Sequence, residues 1–499
     1  MLVRGIRVID LDGGSPARTA DVLIEGGSIT AVGPELRVSA GAAEIDGGGR
    51  WAIPGLWDAH VHASQWVRSA TMMPLAGATR AEDVIQRVVA RLRAGVGEGR
   101  TVLGFGYRSA GWPRPGSVAE LDAISGDRPV VLISGDAHNG WLNSAALRLL
   151  GAPSRSGPVS ENEWFDLARR LDRVPGAAPA PSDFIEPVAA LCARGITGLV
   201  DFEFENSFLD WPGRLATGVG PIRVRTATYP HQLDLVIEAD LRSGDPLPDG
   251  LGLAVMGPLK IISDGSLGSR TAWTYQPYSD GPASPGHPCG QANYSVEELT
   301  ELLRRARAVG LEVALHAIGD RANATAVAAF AATGARGSIE HAQLIEQEDV
   351  QSMAAMRLRA SVQPAHLLDD RDITERLWGE RSARSFPLRS MLDAGVELRL
   401  GSDAPVAEPD PWLAMAAAVH RSGDDRPGWH PEQSITPREA LVASVDGRRL
   451  ALGMPGDLVL LDSDPLAPAA ADSRQAAQVL KGMKVALTVC GGTVTHDAR

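Results

Sequence analysis

At 499 residues, 44% hydrophobic and 22% charged, the chain can bury a large core and should form several domains or one large barrel with additions. A net charge of −13 speaks against a nucleic-acid surface, and no apolar run is long enough to span a bilayer. Three widely separated cysteines, Cys192, Cys289 and Cys490, exclude a disulfide framework and point to a reducing compartment, by default the cytoplasm.

The opening residues MLVRGIRVIDLDGG read as a strand rather than a signal peptide. Short strands with tight turns continue to residue 51, with Gly26-Gly27 marking a hairpin. A matching β-rich stretch closes the chain, with GDLVLLD (456–462) and VALTVCGGTVT. Residues 1–52 and 446–499 are therefore expected to pair into one small discontinuous β-sandwich domain around a domain spanning 53–445. Residues 64–190 read as mainly helical, with AEDVIQRVVARLRAGV and EWFDLARRL amphipathic. Two strand-like runs, Thr101 to Tyr107 and Pro129 to Ser134, interrupt them, and the Pro/Ala-rich stretch 177–183 reads as a loop. So long a connection predicts an insertion over the mouth of whatever follows.

From residue 196 short β-rich runs alternate with helical segments. They are TGLVDFE (197–203), IRVRTATY (222–229), MGPLKIISDG (256–265), LEVALHAIGD (311–320), RGSIEHAQ (336–343), LRASVQPAH (358–366) and VELRLGSDAPV (396–406). With the apolar run before His60 they make eight, which predicts an α/β fold, a (β/α)8 TIM-like barrel. Chemistry in such a barrel belongs at the C-terminal strand ends. His60 and His62 share one face of the first strand, with Val61 between them. Lys260 and Asp264 lie on the fourth strand, His316 ends the fifth, His341 the sixth and Asp403 the eighth. Imidazoles with a carboxylate suit Zn2+, and Fe2+ or Mn2+ less well.

His60-Val61-His62, His316 followed by AIGDRAN, Ile339-Glu340-His341-Ala342 and Gly401-Ser402-Asp403-Ala404-Pro405 resemble the amidohydrolase superfamily. The segment LKIISDGSLGSRTA (259–272) is similar to the signature of its YtcJ-like branch, which includes N-substituted formamide deformylases. Asp136-Ala-His138 followed by Trp141-Leu-Asn143-Ser144 resembles the same branch. The resemblance implies that His60, His62 and Asp403 hold one metal, and that His316 and His341 hold a second or the same one. Lys260 matches the position of a carboxylated lysine bridging two metals. An unmodified ammonium has no lone pair for a metal, so Lys260 is carboxylated, or displaced from the metal, or paired with a carboxylate such as Asp264. One metal or two stays open.

This donor set implies hydrolysis by metal-activated water, with Asp403 as proton acceptor and then donor, and with His341 and Lys260 beside it in the catalytic group. Neither Ser402 nor Ser266 has an evident histidine partner, which argues against covalent catalysis. His138, Asn143, Arg270 and Gln363 are the candidate substrate contacts, and Trp66, Trp112 and Trp273 the candidate apolar walls. The expectation is a metal-dependent amidohydrolase cleaving a non-peptide C–N bond of a small amide or formamide. A lactone or ester hydrolase on the same site and a catalytically silent barrel binding protein are the alternatives. Base rates suggest a homodimer.

Overall fold

The computed structural model describes residues 1–13, 16–37, 43–95, 101–171, 174, 178–204, 207–281, 286–467 and 472–499. Gly14, Val96 and Ala177, at the ends of segments read from the sequence, lie outside the described residues. Eight parallel strands form the central sheet: β1 Leu56–Val61, β2 Ile196–Asp201, β3 Arg223–Thr228, β4 Ala254–Ile262, β5 Val313–Ala317, β6 Gly337–His341, β7 Arg359–Val362 and β8 Glu397–Leu400. They pair in chain order from β1 to β8, as the alternation of short apolar runs with helical segments predicts.

Closure between β1 and β8 comes from the residues just past their ends. Asp403 N–H donates to the His60 carbonyl at 2.7 Å, and His62 N–H donates to the Ala404 carbonyl at 2.8 Å. The buried carboxylate of Asp58 ties the same seam, accepting from the N–H groups of His60 (3.1 Å) and Ser402 (2.9 Å). Outside the strands, helices such as Val296–Ala308 and Asp320–Thr333 bury their apolar faces in one large core. Inside the barrel a small apolar cluster of Trp57, Val200, Phe202, Ala227 and Ala314 remains. Phe202 meets the His60 ring edge-on at 4.4 Å between centroids, so this cluster forms the floor beneath the strand-end histidines.

Both chain ends do pair. Thr493–Asp497, Val485–Cys490, Leu458–Leu461, Trp51–Pro54, Leu2–Val8, Arg18–Glu25 and Ser28–Gly33 follow one another across a single hydrogen-bonded sheet, with Glu44–Asp46 beside Leu2–Val8. Its apolar interior, including Val3, Ile6, Val22, Leu458, Leu460 and Leu487, is separate from the barrel core.

The stretch between β1 and β2 keeps both strand-like runs, as Val102–Tyr107 and Val130–Ser134, and adds three strands that the mainly helical reading did not contain. It contains a five-stranded sheet in the order Val159–Ser160, Asn139–Leu142, Val130–Ser134, Val102–Tyr107, Met73–Pro74. Two of these strands are only two residues long and carry no periodicity to read. A third contains Asn139-Gly140, a pair that reads as a turn. Gly140 is in the strand for a packing reason: a Cβ there would stand 2.2 Å from the Trp164 ring. Among the described residues no helix is long and apolar enough to cross a membrane.

The terminal sheet is fastened to the barrel through Arg223 at the start of β3. Its guanidinium grips Asp457 with two hydrogen bonds of 2.7 and 3.0 Å, and Asp457 is 2% exposed. Truncating one member of such a pair leaves the other charge buried and uncompensated. Asp457→Ala is expected to cost about 3–5 kcal/mol, read as a fall in the urea midpoint, and Asp457→Asn should recover part of that loss.

Candidate metal centre

The strand-end residues converge as the barrel geometry requires. His60 projects from β1, Lys260 from β4, His316 from β5 and His341 from the end of β6. Asp403 follows β8, and both it (φ +58°) and His341 (φ +71°) occupy the left-handed region that non-glycine residues seldom take. Such backbone persists only where the surroundings over-determine it, and it is common at functional sites.

Asp403 is the hub. Its Oδ1 lies 3.3 Å from His60 Nε2 and 3.3 Å from His62 Nε2, while Oδ2 lies 3.9 Å from His366 Nε2. Two donor groups result, His60–His62–Asp403 and His341–His366–Asp403, each with ligand atoms within 4.8 Å of one another. Ligands about 2.0–2.1 Å from a tetrahedral ion stand about 3.3–3.4 Å apart, so the separations in the first group suit a cation of the size of Zn2+. Protonation favours the same reading. Burial pushes His60 and His341 well below the usual imidazole range, so both are neutral, the form that ligates. Burial opposes ionisation of Asp403, yet the hydrogen bond from His62, with the ring of histidines around the carboxylate, outweighs it and holds the carboxyl well below its usual range. His316 adds a buried Nε2 with no hydrogen-bond partner. The residues therefore fit a divalent cation.

The supporting groups fix which atoms face it. Glu340 Oε2 lies 2.8 Å from His60 Nδ1, so Nδ1–H donates to the carboxylate and Nε2 is left with its lone pair for the metal. Glu340 is in turn held by Ser338. Asp264 accepts the N–H groups of Trp273 (2.9 Å), Ile318 (3.1 Å) and Gly319 (2.9 Å), and its Oδ1 lies 3.1 Å from His316 Nδ1. It is thus committed to the loops after β4 and β5, and the pairing of Lys260 with Asp264 is replaced. Lys260 Nζ lies 3.2 Å from His60 Nε2 and 4.2 Å from the centre of the Phe202 ring, with burial pushing its pKa down to about 8.

The candidate substrate contacts separate. His138 lines the cavity together with His62, Lys260, His316 and Asp403. Burial disfavours its charge, but the neighbouring charge of Glu161 outweighs this and raises its pKa to about 9. Asn143 is fully buried elsewhere: its oxygen accepts from Val130 and Ala146 N–H, and its amide donates to Ser125 and Arg128, so no hydrogen-bonding capacity is left for a ligand. Arg270 makes a two-pronged pair with Asp280 (2.9 and 3.1 Å), away from the cavity. Gln363 packs behind the site, its Nε2 3.3 Å from His60 Nδ1 and from the Ser361 carbonyl. The three tryptophans pack in cores, Trp66 and Trp273 against the barrel core and Trp112 within the insertion. Phe165 and Phe204 supply the apolar wall instead.

Sequence reasoning missed His366, the first residue of the helix after β7, and Glu161. His366 could have been found, because it closes the seventh apolar run just as His341 closes the sixth. Glu161 carried no such signal, since it follows a two-residue strand in the insertion.

A model of the family described as "Amidohydrolase family" matches residues 43–496. The chain is 26% identical to the putative amidohydrolase YtcJ of Bacillus subtilis (strain 168), over 96% of each chain. It is also 26% identical to the N-substituted formamide deformylase of Arthrobacter pascens, over 92% of this chain and 93% of that one. Among solved structures, an uncharacterized metal-dependent hydrolase from Pyrococcus horikoshii OT3 superposes with a TM-score of 0.74 at 25% identity, covering 94% of this chain and 98% of the other.

Two outcomes test the centre. Glu340→Ala should weaken zinc binding by about 10–100-fold in equilibrium dialysis, since outer-shell partners of ligating histidines typically contribute that much. Zinc uptake should also strengthen as pH rises through about 8, where Lys260 loses the positive charge it holds beside His60 Nε2. Lys260→Met should flatten that rise.

Proposed function

The chain belongs to the amidohydrolase family, and we propose that within it the protein hydrolyses a non-peptide C–N bond, an amide or formamide, in a small molecule. The observation that carries this reading is the pair of histidine groups sharing one ionised carboxylate, Asp403, at the barrel mouth. Similarity to a formamide deformylase over nearly the whole chain supports formamides as the first substrates to try. A covalent route lacks its parts: among the described residues Ser402 Oγ is taken by the Ala404 N–H and Ser266 Oγ donates to Asp136, with no histidine on either.

His60, His62 and Asp403 would hold one divalent cation, most simply Zn2+, and His341 and His366 with the same carboxylate are placed for a second. When bound, the cation supplies an acidified water at neutral pH and polarises the scissile carbonyl. Asp403, kept ionised, accepts the proton of the attacking water through an oxygen that faces the cavity, then returns it to the departing nitrogen, which needs it to leave as an amine. Neutral His341 packs against His316 with ring centroids 4.5 Å apart, which fixes its plane at the wall of the cavity. Phe165 and Phe204 keep that wall apolar and exclude bulk water from the polar groups opposite. Lys260 decides the charge of the site: as an ammonium it repels a cation beside His60, and as a carbamate it supplies a ligand and favours two cations. The three cysteines are unpaired, in keeping with a cytoplasmic enzyme.

The reading is tested by metal content of the purified protein together with turnover of a panel of N-formyl and N-acyl amines. One or two zinc ions per chain are expected, with activity abolished by chelation and restored by zinc. Asp403→Asn should lower kcat by about 10²–10⁴-fold, the range for removing a positioned acid–base group. Protein that neither retains nor takes up metal, or that hydrolyses the panel equally well after chelation, overturns it.

A further inference from the structure

The loop after β4, Ser263 to Ala272, holds a run of small residues that the metal centre leaves unused. Asp264 serves the neighbouring loops, but Gly265, Ser269 and Thr271 enclose something else, the carboxylate of Glu161 from the insertion. Ser269 Oγ donates to Glu161 Oε1 at 2.9 Å, and Thr271 Oγ1 donates to the same oxygen. A Cβ on Gly265 would stand 2.0 Å from Thr271 Oγ1 and 2.6 Å from Glu161 Oε2, so the approach of these groups requires glycine there. Glu161 is 4% exposed and sits at φ +53°, held in the left-handed region at the start of its helix.

Everything about this carboxylate is aimed at His138. The Glu161 N–H donates to the His138 carbonyl at 3.0 Å, and Glu161 Oε2 lies 3.0 Å from His138 Nδ1. With hydroxyl donors on its other oxygen, the carboxylate acts as an acceptor throughout, so Nδ1 carries the hydrogen. Nε2 is then the nitrogen left for the cavity. The ring stands beside the metal centre, its centroid 5.7 Å from that of His316.

We propose that Glu161, clamped by Ser269 and Thr271, is a positioning residue that holds His138 by its Nδ1–H and so presents His138 Nε2 to the scissile amide of the bound substrate. The contact with substrate rests on the hydrolase reading; the ring geometry does not. The small-residue loop is then the mould in which an insertion carboxylate is set, and it joins the insertion to the barrel chemistry.

The test uses full-length, zinc-loaded protein labelled with 15N in its 11 histidines. His138→Ala identifies the His138 ring signals by their loss. Read above pH 9, where the ring is neutral, the expected wild-type pattern has the proton on Nδ1, and Glu161→Ala should release it toward the Nε2–H form. For an N-formyl amine that the wild type hydrolyses, His138→Ala should lower kcat by about 10²-fold. Glu161→Ala should lower it by about 10-fold or more, with KM and metal content little changed. Glu161→Gln, whose amide oxygen still accepts from Nδ1–H, should restore the ring pattern and part of kcat. If Glu161→Ala fails to fold, Thr271→Val, which removes a hydroxyl of the clamp, carries the same readings. An unchanged His138 ring pattern in Glu161→Ala overturns the proposal with or without a substrate, as does full activity in His138→Ala. A wild type with the expected ring pattern but no turnover of any amide sinks the hydrolase reading, and the substrate contact with it, while upholding the role of Glu161.

Discussion

Burying an ionised carboxylate where the barrel strands end is the constraint on which the rest of the site depends. Asp403 is 7% exposed, and a lone charge taken out of water at that depth costs several kcal/mol. The cost is met by surrounding it with imidazoles that a cation can bind together with it. That arrangement in turn demands that β1 and β8 meet. The backbone bonds from Asp403 to His60 and from His62 to Ala404 both close the barrel and set the spacing of the candidate ligands. Asp58, buried on the same seam, holds the N–H groups of His60 and Ser402 so that neither ligand segment slides against the other. Barrel closure and ligand geometry are thus one feature, not two.

A second layer of carboxylates turns a cluster of histidines into a directed site. Glu340 points His60 Nε2 at the cavity by taking Nδ1–H, and Asp264 stands at His316 Nδ1 while pinning two loops. The insertion repeats the device with Glu161 and His138. For His60 and His138 a buried acid, itself held by hydroxyl donors, selects which face of the imidazole is free. The insertion is therefore more than a cover: its wall residues Phe165 and His138 stand in the same cavity as the barrel ligands.

The chain by itself determined the barrel, because eight short apolar runs spaced by amphipathic helices have few other ways to bury themselves. It also determined most of the candidate donors: a histidine or carboxylate at the end of such a run has to face the mouth, and His60, His62, His316, His341 and Asp403 all line one cavity. Only the tertiary structure decided the rest. Asn143 and Arg270 look like ligand contacts as letters but are consumed, Asn143 as the cap of the helix that follows it and Arg270 by Asp280, roles that the same letters fill as readily as ligand binding. In the insertion the runs at Val102–Tyr107 and Val130–Ser134 were legible as strands, but the two-residue strands beside them have no period. Glu161 gained its meaning from Ser269 and Thr271, more than a hundred positions away, and a contact of that range is set by the packing of the whole fold, which no local pattern of residues encodes.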